Sequence, residues 1–407
     1  MKTFFSSENI SWGNTQKTRT TFILLILIPI FLLVSLSSSN IYDARKQDFA
    51  AYWQAGYMVL SGQDIYNSSE WIAERQQRGT ALHSEPTFHY PLPFAVLFSP
   101  LALFPVESAY TLWLFFGQIA IVTSILILLS FYPARTGYFE LFTIAGIFLF
   151  RPSFSVIFNG QILSLLLIFV CVSILLFHNQ DWFWGGFALS LLSLKPSIGL
   201  PILALAGLWL LAKKQWPGIL GIALGCITLL LAGMLIDPNW PIEYIRVSGD
   251  SFSKYFGLHP TMWGVVDKIF IKDTKSLVAG AVVSLTILVT EVYVLNRRGT
   301  HSAPIEAFAS ILPAGLLIAP YSWSYDQILL AVPLIYLMIR VASSQGNRMA
   351  VLFLFGIVTL SIFLVFAAHG IHHDVWSFLN SFIVWIFVLC LIPRSDQSSR
   401  VRLAGGE

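Results

Sequence analysis

Charge is what this 407-residue chain has least of: Asp, Glu, Lys and Arg together make up 11% of it, against roughly 25% in soluble domains. That shortage, with 56% hydrophobic residues and a mean hydropathy of +0.73, excludes an ordinary soluble domain. Cysteine is nearly absent. Cys171, Cys226 and Cys390 all lie inside apolar runs, and an odd number with none in a loop argues against a disulfide framework or a cysteine-based metal site. The net charge of +3 is small and dispersed, so no nucleic-acid partner is expected. There is no glycine-rich phosphate loop, no HExxH or other zinc signature, no repeat of fixed period and no low-complexity tract.

What the chain has in abundance is apolar runs of membrane-crossing length. They predict an all-α polytopic membrane protein of about 12 spans, near 20–38, 107–131, 138–151, 160–177, 183–195, 197–212, 217–236, 275–295, 303–319, 325–342, 348–367 and 375–393. Lys2, Lys17 and Arg19 ahead of TFILLILIPIFLLVSL resemble a signal peptide. The run is long for one and the following SLSSS is a weak cleavage site, so it reads as an uncleaved signal anchor.

One apolar stretch is ambiguous. PLPFAVLFSPLALFP, 91–105, is short and punctuated by proline. If it does not cross, the loops on the N-terminal side hold Arg135, Lys213, Lys214, Arg297, Arg298, Arg340 and Arg348 together with the terminal cations. That is the positive-inside pattern. The stretch is therefore expected to be a half-embedded helix on the external face, tolerable where protein covers it. Both termini become cytoplasmic, with a tail at 394–407, and two long external loops remain, 39–106 and 237–274. Their dense aromatics suit helices lying in the headgroup region or a sugar-stacking wall. The whole chain, 1–407, reads as one integral membrane domain.

Asp48 opens an aromatic helix pattern, with Phe49, Tyr52, Trp53 and Tyr57 near helical spacing, Gly62 as a stop and Asp64 to Tyr66 beginning the next turn. An acid flanked by rings is partly desolvated and suited to taking a proton from an attacking hydroxyl. A helix N-cap, or an ion pair with Arg45, is the plainer reading. Next come His83, Glu85, His89 and Tyr90, ahead of Pro91; they could ligate a metal or simply line a cleft. In RPSFSVIFNGQILSLLL, Asn159 and Gln161 sit where a loop enters a span, placed to bond sugar hydroxyls or to cap a helix. Lys195, in SLKPSIGLP, is a lone cation between apolar runs that either snorkels or meets an anionic lipid phosphate. APYSWSYDQILLAVP clusters Ser322, Trp323, Tyr325, Asp326 and Gln327 at the mouth of a span, and an acid there is a functional candidate. HGIHHD, with His369, His372, His373 and Asp374, is a weak metal hint or a polar turn.

Taken in order, DFAAYWQAGYMVLSGQDIY, YPLPFAVLFSPLALFP, NGQILSLLL, LSLKPSIGLP and SWSYDQILL resemble glycosyltransferase family 87, the polyprenol-phosphate-mannose-dependent α-1,2-mannosyltransferase type of GT-C enzyme. The resemblance implies a GT-C fold with interfacial helices in the first external loop, and Asp48 as catalytic base. It also implies a sugar donor carried on a polyprenyl phosphate; beside the base, Tyr52, Trp53, His89, Tyr90, Asn159, Gln161, Lys195, Trp323, Tyr325 and Asp326 are the candidate substrate-binding residues. Acceptors would be glycans or glycolipids on the outer face of a bacterial plasma membrane, with membrane lipids as further partners. No cofactor or obligatory metal is expected, since inverting displacement needs one base and no second carboxylate; Lys195 or Arg151 would steady the leaving phosphate. One departure stands out: many relatives carry a histidine where this chain has SWSYDQ.

Two other readings compete. A transporter or flippase of lipid-linked sugars would show repeats and polar breaks at the midplane, whereas the ionisable residues here lie at the ends of spans. A non-catalytic scaffold leaves an acid at the mouth of an aromatic cleft unexplained.

Overall fold

Inside a bilayer the backbone has no water to bond to, so long apolar runs close their hydrogen bonds internally and become helices. The computed structural model describes residues 14–80, 87–255, 258–270, 274–298, 303–369 and 374–391, and among these the regular structure is helical. In chain order the α-helices are α1 (Asn14–Ile41), α2 (Phe49–Leu60), α3 (Ser68–Arg78), α4 (Leu92–Phe98), α5 (Val106–Leu129), α6 (Gly137–Leu149), α7 (Arg151–Phe158), α8 (Leu163–His178) and α9 (Trp182–Leu189). They continue as α10 (Pro196–Ala212), α11 (Trp216–Met234), α12 (Trp240–Tyr255), α13 (Met262–Phe270), α14 (Thr274–Arg298), α15 (Pro304–Ile318), α16 (Ala331–Gln345), α17 (Asn347–His369) and α18 (Phe378–Leu391).

Each expected span coincides with a helix, but the helices differ in reach. Among the described residues seven are long and apolar enough to cross a membrane, or eight if α6 and α7, bent by 66° at their junction, form one broken span. The remaining apolar helices, Leu163–His178, Trp182–Leu194, Pro196–Ala212 and Pro304–Ile318, have 10–17 residues. At 1.5 Å per residue a helix of that size reaches at most about 25 Å, short of a hydrocarbon core of about 30 Å. The stretch 91–105 forms only the seven-residue α4 and a 3₁₀ turn, Leu101–Leu103. It is too short to cross, and Leu92, Phe94 and Phe98 are buried. His83 and Glu85, read as cleft lining or metal ligands, the segment 370–373 with His372 and His373, the His369 side chain and the tail 394–407 lie outside the described residues.

The centre of the bundle is built from α15 and the first part of α16, whose residues are buried almost without interruption. Helices α1, α11 and α14 lie at the periphery. On α14 the exposed side chains Val278, Val282, Leu285 and Val289 recur at helical spacing, an outward apolar stripe fit for lipid. Small residues let helices cross closely: a Cβ on Gly186 of α9 would stand 2.0 Å from the Gly218 carbonyl oxygen of α11. The ends of α7 and of the 3₁₀ turns before α10 and α16 meet beside α2, and a cavity opens there.

Candidate active site

The cavity has a volume of about 540 Å³, within the range of small-molecule sites. Asp48 lies on its wall at the N-terminal end of α2. The N-cap alternative fails, because the Asp48 side chain bonds no backbone N–H of α2. So does the pairing with Arg45, whose guanidinium instead meets Glu107 at 2.7 Å. The carboxylate is held by Gln161, whose side-chain amide donates to Asp48 Oδ2. The other end of that amide, Oε1, accepts the Tyr52 hydroxyl at 2.6 Å, and the Tyr52 and Tyr90 hydroxyls are 3.0 Å apart. A carboxylate can only accept, so the Gln161 nitrogen must face Asp48; the network fixes the amide's orientation. Burial pushes the Tyr52 and Tyr90 phenols well above their ordinary range, with the neighbouring tyrosine and Asp48 adding to it for Tyr52. Both therefore act as neutral hydroxyls near pH 7.

The loop after α7 brings Gln161 to this place. Gly160 adopts φ +66, and a Cβ there would sit 2.7 Å from the Phe49 Cβ. Only glycine accepts both conditions without strain. The neighbouring Asn159 carbonyl accepts the Phe49 N–H at 3.2 Å, tying the start of α2 to the loop. Asn159, expected as a sugar-binding amide, secures α2 through its backbone and is not among the residues lining the cavity. Trp53 is likewise not among the residues lining the cavity. It lies one residue past Tyr52, about 100° around the helix, and its indole N–H donates to the Phe104 carbonyl at 3.0 Å.

A cation stands on another part of the wall. Lys195 follows the 3₁₀ turn Ser190–Leu194 and begins α10. Its ammonium meets Asp326 Oδ1 at 2.5 Å and lies 4.8 Å from the centre of the Tyr325 ring. Asp326 is fully buried and is not itself among the residues lining the cavity. It works from behind: its other oxygen accepts the Trp323 N–H at 2.8 Å, so one carboxylate fixes both the cation and the backbone that presents Trp323 and Tyr325. Arg151 bonds the Ser324 hydroxyl and approaches Asp374 at 3.9 Å, away from the cavity wall. His89, Tyr90, Trp323 and Tyr325 all line the cavity.

His259 also lines the cavity, and nothing in the sequence singled it out. It comes from the segment before α13, packs edge-on against Trp323 with centroids 4.9 Å apart, and has Nδ1 2.8 Å from the Ser322 carbonyl oxygen. A carbonyl only accepts, so Nδ1 carries the proton. Burial pushes the ring down to about 4, against the Ser322 carbonyl and Asp374, which favour its charge, and with Lys195, which does not. It is a neutral imidazole near pH 7. A histidine thus reaches the SWSYDQ segment from a different loop. Arg75 and Trp71 on α3 line the cavity as well, with no periodic or motif signal to reveal them. No cluster of three or more metal-ligating side chains occurs among the described residues.

Fold and cavity together define a polytopic helical membrane protein with an acid and a cation in one aromatic pocket. Residues 88–393 match the family model of glycosyltransferase family 87, and the chain belongs to that family. It is a glycosyltransferase. No curated protein and no solved structure matches the chain. Asp48, Tyr52 and α3 lie ahead of the matched residues, so their part in the site rests on the geometry described above.

Proposed function

We propose that this glycosyltransferase moves a sugar, mannose first among the candidates, from a polyprenyl-phosphate donor to a glycan or glycolipid acceptor on the extracytoplasmic face. The observation that carries this reading is the pocket shared by Asp48, oriented through Gln161, and Lys195, set between the apolar helices α9 and α10. Lys195 suits a lipid phosphate, because the helix ends that present it also suit an isoprenoid tail.

In the proposed step the acceptor hydroxyl attacks the anomeric carbon of the donor sugar. The new carbon–oxygen bond forms as the bond from that carbon to the phosphate oxygen breaks. The electron pair leaves with the polyprenyl phosphate, and the hydroxyl proton passes to the Asp48 carboxylate. A positioned base of this kind contributes about 10²- to 10⁴-fold. Lys195 steadies the charge gathering on the phosphate. Tyr52 and Tyr90 hold the base in register; they do not supply charge.

The reading is tested by supplying the purified protein, in lipid nanodiscs, with polyprenyl-phosphate mannose, its arabinose and glucose counterparts and a nucleotide sugar. Transfer from a polyprenyl-phosphate sugar with inversion at the anomeric carbon is expected. Transfer from the nucleotide sugar alone, or movement of lipid-linked sugar across the bilayer without transfer, would overturn it.

A further inference from the structure

We propose that α12 is an in-plane membrane helix, seated through Ile242 and Ile245 in the lipid leaflet on the cavity's side of the bilayer, and that this seat holds the part of the cavity wall that Tyr244 supplies. The partner is the lipid surface itself. The inference adds a lipid-held wall to the cavity read above as the active site, and rests on that reading only in giving the wall a function.

The depth of α12 follows from α11. Leu220, Leu224, Ile227 and Leu231 are exposed at three- and four-residue intervals, so one face of this span meets lipid along its length. Gly221 and Gly225 lie on another face, close against Phe183 and Phe187 of α9. The turn 235–239 then folds the chain back. Trp240, the first residue of α12, donates its indole N–H to the Leu230 carbonyl of α11 at 3.4 Å. A Cβ on Gly233 would stand 2.5 Å from that indole nitrogen, so the ring lies tight on the end of the span. Leu230 precedes the last residue of α11, Met234, by about 6 Å along the helix. The start of α12 is therefore level with the last turn of a span, the depth at which tryptophan marks a membrane interface.

α12 does not cross. Glu243, Arg246, Asp250 and Lys254 punctuate its sequence, WPIEYIRVSGDSFSKY, which reaches only about 24 Å as a helix. Its faces differ in kind. Trp240 and Val247 are buried against the protein, and Tyr244 between them lines the cavity. Ile242 and Ile245 point away from that side, 74% and 69% exposed. Leu235, 88% exposed, lies in the turn between them and the lipid-facing stripe of α11. Branched aliphatic chains offer no hydrogen bond to water or to a sugar, whereas the boundary between headgroups and acyl chains accepts them. Tyr244 is next to Ile245 in the chain, so the residue that seats the helix in lipid adjoins the one that shapes the cavity.

The test places nitroxide labels on the full-length protein in nanodiscs of phosphatidylethanolamine and phosphatidylglycerol, with Cys226 and Cys390 replaced by alanine and thermal unfolding followed throughout. At Ile242→Cys and Ile245→Cys, collisions with oxygen should exceed those with a water-soluble nickel chelate, as at Leu224→Cys within the span. The order should reverse at Asn239→Cys in the turn. Amide hydrogen exchange then reads the wall. Across 240–249 it should be about tenfold faster in I242S/I245S and unchanged in I242L/I245L, with Ile245→Ser alone replacing the serine pair if that pair is unfolded. Chelate contact at 242 and 245 equal to that at 239 would overturn the proposal. So would spin–spin broadening between two copies, which makes a second chain the occupant, or exchange in the serine variant equal to wild type. These readouts need no donor and no turnover, so their failure is separable from a failure of the transfer reading.

Discussion

Gln161 and Asp48, 113 residues apart in the chain, are joined by a hydrogen bond from the Gln161 amide to the Asp48 carboxylate. The same amide accepts the Tyr52 hydroxyl, so the acid's orientation is set by a residue from the far side of α5 to α7.

Replacing Gln161 by Leu removes both ends of this link while keeping an apolar volume. Asp48 then loses its alignment, and misplacement of a reacting group by about 1 Å can cost on the order of 10²-fold. The expected outcome in steady-state kinetics is a fall in kcat of that order with little change in the donor KM. A change confined to KM would show that Gln161 serves binding.

The buried pair of Lys195 and Asp326 allows structure and chemistry to be separated. Lys195→Met leaves an uncompensated carboxylate in the interior, which typically costs about 3–5 kcal/mol. Combining it with Asp326→Leu removes the stranded charge as well. Thermal unfolding should therefore show a large loss in the single variant and substantial recovery in the double, whereas transfer stays impaired in both. Recovery of transfer along with stability would make the pair purely structural.

His259 gives stability a pH dependence of defined sign. Its folded-state value, about 4, lies below the ordinary 6.5, so the unfolded chain binds more protons between those values. Stability is complete above about pH 6.5 and declines as pH falls towards 4, by up to about 3 kcal/mol from this group. Unfolding midpoints measured across that window should fall less steeply in His259→Asn than in wild type. Identical slopes would contradict the neutral buried imidazole.

Gly160→Ala combines a left-handed backbone with a Cβ 2.7 Å from Phe49. The start of α2 must move away from the loop that carries Gln161. We expect a destabilisation of about 1–3 kcal/mol together with reduced transfer, measured by thermal unfolding and by initial rates. An alanine variant matching wild type in both would show that the loop and α2 are not rigidly coupled.

Much of the site was legible before folding. Hydropathy located the apolar helices but not their reach, since among the described residues only seven, or eight with the bent pair α6 and α7, are long enough to cross; proline with charge parity marked 91–105 as a segment that does not cross, in agreement with the seven-residue α4. Asp48, Tyr52, His89, Tyr90, Lys195, Trp323 and Tyr325 were legible as polar or aromatic groups at the edges of apolar runs, and all of them line the cavity. Trp53 was not distinguishable from Tyr52, because helical spacing marks a stripe and only packing decides its edge. Pairing across the fold was invisible for a different reason. Nothing local in LKPS or SYDQ shows that Lys195 and Asp326, 131 residues apart, form a buried salt bridge. His259 is a lone histidine in an aromatic loop, and its meaning comes only from the Ser322 carbonyl it meets.

The most direct test is single-turnover transfer by Asp48→Asn and Asp48→Ala in nanodiscs, with polyprenyl-phosphate mannose bound and an oligomannoside acceptor in excess. Both variants should bind donor as wild type does and transfer at least about 10²-fold more slowly. Transfer at the wild-type rate by either variant, with donor binding intact, would contradict Asp48 as the base.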